Sequence, residues 1–89
     1  MDPRLAEIVR FLSDSKIRAT YVAVAGVLGV VPRSMGARLG PHNQTASWIV
    51  SSKTGLPTGY TNADIHPDVL TSTQLIRTAT DLTVRMQGR

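Results

Sequence analysis

Cysteine is absent from this 89-residue chain. That one absence excludes disulfides, thiolate metal sites and thiol nucleophiles together. A small domain without cysteine is expected in a reducing compartment, most simply the cytoplasm. Aromatic residues are scarce as well, with one Trp, one Phe and two Tyr, so each needs its own account. No apolar run reaches the roughly 18 residues that a membrane-spanning helix needs, and no membrane partner is expected. The N-terminus reads MDPRLAE, acidic and amphipathic, whereas a secretory leader is basic and then uniformly apolar. The most informative lack is of acid. All six Asp and Glu lie in residues 1–14 and 64–89. The stretch 15–63 holds Lys16, Arg18, Arg33, Arg38 and Lys53 and no carboxylate side chain. It is either a loosely basic solvated surface or a face that meets a polyanion.

What is present sets the scale. The length implies a single domain, 1–89, with a modest core and little room for a large active-site cavity. A hydrophobic fraction of 42% is enough for that core to form. The net charge is +4.

Local signals order the chain. Asp2-Pro3 opens a helix, with Asp capping free N–H groups and Pro at the first helical position. Leu5, Ile8, Val9 and Leu12 fall on one face at i, i+3, i+4 and i+7, and Ser13-Asp14-Ser15 ends the run. Thr20 caps a second helix, YVAVAGVLG, with Gly29 just past its end. The small residues Ala23, Ala25 and Gly26 let another backbone approach this helix closely. After Val30-Val31, Pro32 opens a third helix, PRSMGARLG. Two helices joined by a few residues within Thr20–Leu39 have the helix-turn-helix spacing. Met35 and Leu39 face inward in this reading, and Arg33, Ser34, Ala37 and Arg38 outward. Gly36 costs its helix roughly 1 kcal/mol against Ala. Either helix–helix packing or the approach of a foreign backbone accounts for it.

The polar linker GPHNQTA leads to ASWIVSSKTGLPTGY, which reads as a β-hairpin: a strand near Trp48–Ser51, a turn at Lys53-Thr54-Gly55, and a return toward Tyr60. His66-Pro67-Asp68 marks a single helical turn, Gln74-Leu75-Ile76 a short strand, and Thr78 with Asp81 the capping box of a last helix. The predicted class is α+β, mostly α, with a helix-turn-helix followed by a small hairpin, which is the winged-helix order. His42 and His66 are the only histidines and have no carboxylate cluster beside them, so no metal and no cofactor is expected.

Three segments in this order, ATYVAVAGVLG, VPRSMGARLG and ASWIVSSKTGLPTGY, resemble the DNA-binding domain of the DNA alkylguanine alkyltransferases. The likeness is closer still to the alkyltransferase-like proteins, which keep that fold and lack the reactive cysteine. It covers residues 17–62. In that family the helix-turn-helix enters the minor groove and the target base turns out into a pocket. The resemblance implies that Tyr21 crowds the phosphate beside the flipped nucleotide and that Arg33 fills the vacancy in the stack. Ser34, Gly36 and Ala37 correspond to small residues that seat the helix deep in the groove. Arg38 and Lys53 would meet phosphates. Ser47, Trp48, Tyr60 and Thr61 correspond to the base pocket, although Trp48 reads equally as the main core residue of a small domain. In the family's reactive loop, P-C-H-R, Ser47 takes the cysteine position, Trp48 the histidine and Ile49 the arginine. A serine hydroxyl without a positioned base is a poor nucleophile, so no alkyl transfer, and no enzyme activity, is expected.

The resulting expectation is a monomeric, cytoplasmic protein that binds duplex DNA, recognises alkylated guanine by base flipping and flags it for a DNA-repair partner. The competing expectations are a winged-helix regulator that reads sequence without flipping a base, and a protein-interaction module whose basic face is incidental.

Overall fold

A computed structural model describes residues 3–40 and 44–88. The Asp2 cap and the Pro41-His42-Asn43 part of the linker lie outside the described residues. The first helix, α1, spans Pro3–Ser15 and buries Leu5, Ile8, Val9, Phe11 and Leu12. Its end is closed by a left-handed residue, Lys16 at φ 57, which lets the Ile17 N–H donate to the Leu12 carbonyl at 3.2 Å. This is a helix stop built on a non-glycine residue, and the chain leaves it directly into a strand.

That strand, β1 at Arg18–Thr20, has no counterpart in the sequence reading. It is the centre of a three-stranded parallel sheet in the order β2-β1-β3. Strand β2 is Ile49–Val50 and β3 is Leu75–Ile76. Ala19 stands opposite Ile49 on one side and Ile76 on the other. The architecture is therefore α+β and mostly helical, as expected, but the hairpin is not observed. Ile49 and Val50 are both buried, the mark of a strand covered on both faces and not of a half-solvated hairpin arm. Residues 51–60 turn without pairing, with Gly55 and Gly59 at positive φ and Pro57, which has no N–H to donate.

Helix α2, Tyr21–Leu28, starts where predicted. Thr20 Oγ1 accepts from the Ala23 N–H at 3.1 Å, and Gly29 at φ 74 ends the helix. A 3-10 turn at Pro32–Ser34 leads into α3, Met35–Leu39, with Met35 and Leu39 buried. The Tyr21–Leu28 and Pro32–Leu39 segments meet at 98°. A 3-10 turn at Ala46–Trp48 precedes β2, and α4, Pro67–Thr71, precedes β3. The last helix, α5 at Ala79–Gln87, is capped by Thr78, whose hydroxyl accepts from the Asp81 N–H. It packs across α2, where a Cβ on Gly26 would stand 2.7 Å from the Cβ of Ala79. The small residues of α2 thus admit a neighbouring helix. Trp48, with Leu5, Ile8, Leu12 and Met35, heads the fully buried core. Among the described residues no single helix is long and apolar enough to cross a membrane.

Candidate nucleic-acid interface

Tyr21 is the first residue of α2, half-buried, so its ring leans on the core while its hydroxyl reaches outward. That hydroxyl accepts from the Thr58 N–H at 3.0 Å. Pro32 and Arg33 begin the 3-10 turn that opens the next helix. Tyr21, Pro32, Arg33, Gly36 and Thr58 together line an open cleft of about 270 Å³. Three of the residues singled out from the sequence, Tyr21, Arg33 and Gly36, therefore meet in one place. Thr58, from the TGY that ends the third resembling segment, joins them although the sequence reading does not single it out as a site residue. All five come from the acid-free segment.

Helix–helix packing does not account for Gly36 among the described residues. A Cβ there would have nothing within 4 Å, so no helix of the described chain needs this glycine. Ala37 and Arg38 are exposed beside it. Ser34 does more than keep the helix slim. Its hydroxyl donates to the Val31 carbonyl at 2.7 Å and accepts from Arg38 Nε at 3.1 Å, which aims the guanidinium along the α3 surface. Lys53 is exposed in the turn after β2, its N–H held by the Ser51 hydroxyl at 3.2 Å.

The four residues assigned to a base pocket separate. Ser47 and Trp48 are both 0% exposed and offer no surface to a ligand in this conformation, so Trp48 is a core residue. Ser47 Oγ donates to the Gln44 carbonyl at 2.6 Å and accepts from the His66 backbone N–H at 3.0 Å. It braces two turns. Tyr60 is half-buried against the core, while Thr61 is exposed and donates to Asp64 Oδ2 at 3.1 Å. The reason is topological: Ala46–Trp48 feeds a strand buried on both faces, so its side chains turn inward.

A second cluster surrounds His66, which sequence separation hides. Its ring lies 5.6 Å from that of Trp48, centroid to centroid. Its Nδ1 accepts from the Asp68 N–H at 3.1 Å and caps α4. Asp68 Oδ2 pairs with Lys16 Nζ at 2.9 Å. The hydrogen bond from Lys16 holds the Asp68 carboxyl below the ordinary value of 3.8. Ser47, His66 and Asp68 are neighbours, but Ser47 is bonded by the backbone of His66 and not by its imidazole. The arrangement caps a helix and does not activate a hydroxyl. Among the described residues no three His, Asp or Glu side chains converge to hold a metal. Comparison with protein-family models, curated proteins and solved structures returns no match to this chain.

Proposed function

We propose that this chain is a non-enzymatic DNA-binding protein of the alkyltransferase-like kind, which recognises alkylated guanine in duplex DNA from the minor groove and flags it for a repair partner. The observation that carries the reading is the cleft where Tyr21, Arg33, Gly36 and Thr58 meet, open to solvent and built wholly from the segment without acids. Two helices at 98°, joined by Gly29-Val30-Val31, have the angle and turn length of a helix-turn-helix. The exposed Arg33, Arg38 and Lys53 supply phosphate attraction, and the bare Gly36 lets the second helix sit close to a narrow groove. The residues 51–60 take the place of a wing in this winged-helix reading. A flipped base would be received beside Thr58, with Tyr60 and Thr61 at the end of the same loop.

The burial of Ser47 and Trp48 favours the alternative in one respect, since a regulator that reads sequence without flipping needs no pocket. One assay separates the readings. Matched duplexes with and without an O-alkylguanine are titrated with protein in low salt. Tighter binding to the lesion supports the first reading, and a dependence on sequence alone selects the regulator. Failure to bind any duplex removes both.

A further inference from the structure

Residues 51–60 carry Lys53, Thr58 and Tyr60, yet they belong to no helix or strand. Their first half is bonded to itself: the Ser51 N–H donates to the Leu56 carbonyl at 3.0 Å, the Gly55 N–H to the Ser51 carbonyl at 2.8 Å, the Lys53 N–H to the Ser51 hydroxyl and the Leu56 N–H to the Thr54 hydroxyl, each at 3.2 Å. A loop of this kind, with two glycines at positive φ, belongs to the low-stability end of a fold. Two side chains from other elements of the described residues bond to it. The Tyr21 hydroxyl takes the Thr58 N–H at 3.0 Å. Arg18, on the central strand β1, donates from Nη1 to the Gly55 carbonyl at 2.9 Å. The approach is so close that a Cβ on Gly55 would stand 2.7 Å from that nitrogen, and φ +71 disfavours any other residue as well.

An arginine is a costly way to fill this position. Arg18 is half-buried, and its buried Nε has no hydrogen-bond partner among the described residues. A charged group that loses water and leaves an N–H unmade is penalised, and an apolar side chain of similar length would serve the sheet as well or better. The contact that offsets this is the hold on the Gly55 carbonyl.

We propose that Arg18 is the positioning residue of the 51–60 loop. It fixes the Gly55 carbonyl so that Thr58 stands at the cleft with Tyr21, Arg33 and Gly36, and it thereby sets discrimination between lesion-bearing and undamaged duplex without touching DNA. The second half of this statement rests on the DNA-binding reading above; the first half does not. Arg18 counts among the cations of the acid-free segment, but its Nη1 is committed to the Gly55 carbonyl.

The test uses Arg18→Met, which keeps the aliphatic stem and removes the guanidinium, and Arg18→Lys, which keeps a charged donor. In the free protein, amide exchange at Ser51, Gly55 and Thr58 quickens about tenfold in Arg18→Met, the scale of one charge-assisted hydrogen bond. Exchange in α2, at Val24 and Ala25, stays as in wild type, and Arg18→Lys recovers part of the loop protection. The preference for an O-alkylguanine duplex over its undamaged match falls severalfold in Arg18→Met, with an unchanged salt slope. A salt slope shallower by about 0.9, with loop exchange unmoved, makes Arg18 a phosphate contact and overturns the proposal. Quickened loop exchange with selectivity intact overturns the link from loop to discrimination. If wild type binds no duplex while Arg18→Met still loosens the loop, the DNA-binding reading falls and the pinning stands.

Discussion

Gly36 costs its helix stability that no contact among the described residues offsets, since a Cβ there would meet none of their atoms within 4 Å. Gly36→Ala is therefore expected to stabilise the free protein, by up to about 1 kcal/mol from helix propensity. The same methyl group would stand between α3 and a groove, so duplex affinity should fall. Denaturant unfolding and a duplex titration check the two halves. A stabilised variant with unchanged affinity would mean that this backbone does not approach DNA. Arg33 and Arg38 differ in kind although both are exposed. Arg33 lines the cleft, whereas Arg38 is turned along the helix by Ser34. With 2-aminopurine beside the lesion, wild type should raise the fluorescence at saturation, and Arg33→Ala should raise it much less. An inserted side chain offsets unstacking by about 1–3 kcal/mol. Arg38→Ala should weaken all duplexes alike, because a phosphate contact carries no base information. Full signal from saturated Arg33→Ala would make Arg33 another phosphate contact.

Among elements, α2 and α5 come close together. A Cβ on Gly26 would come within 2.7 Å of the Ala79 Cβ at the start of α5, so even Gly26→Ala forces the helices apart. Overpacking of this kind costs about 1–3 kcal/mol, which outweighs the propensity gained by replacing glycine in a helix. Thermal unfolding should show a lower midpoint for Gly26→Ala, opposite in sign to Gly36→Ala, although both replace a helical glycine. A second joint ties the end of α1 to the start of α4 through Lys16 and Asp68. The hydrogen bond from Lys16 lowers the Asp68 carboxyl below 3.8. A carboxyl depressed in the folded state adds stability that is present above its unfolded value and lost as pH falls through its folded one. Wild type and Lys16→Met should thus differ in stability above about pH 4 and converge in stronger acid. Both groups are exposed, so the difference should be small and shrink with salt. Parallel stability curves down to the lowest pH would show that the pair contributes nothing.

For the whole molecule the decisive quantity is charge distribution. With no acid between residues 15 and 63, and Arg33, Arg38 and Lys53 exposed in that stretch, a duplex bound by these residues would release a counterion at each phosphate contact. Log affinity should fall with log salt at about −0.9 per contact, for roughly two contacts from Arg38 and Lys53, or three if Arg33 also meets a phosphate. Arg18 is left out of that count because its Nη1 donates to the Gly55 carbonyl. A flat titration between low and moderate salt would remove the polyanion reading and leave the basic stretch a solvated surface.

The helices were legible in the sequence because their signals are local. The stripe Leu5, Ile8, Val9 and Leu12 buries as its spacing requires, and Thr20, Gly29 and Thr78 cap within four residues of what they cap. The absence of acid from one segment and the outward side of α3 are equally properties of neighbouring residues. The sheet was legible only in part: strands near Ile49-Val50 and at Leu75-Ile76 were expected and are observed, but the central strand and the parallel pairing were not. Arg18-Ala19-Thr20 is three residues between two helices and has no alternation to betray a strand, and Ile49-Val50 looks like half of a hairpin with its turn alongside. What makes them strands is each other and Leu75-Ile76, from far along the chain. Strand formation expresses the packing against neighbours more than any preference of the segment itself. The candidate site divides in the same way. Residue types and spacing selected Tyr21, Arg33 and Gly36. Only the tertiary structure placed Thr58 among them, turned Ser47 and Trp48 into the core and spent Arg18 on Gly55, because each of these depends on contacts between segments that sequence distance keeps apart.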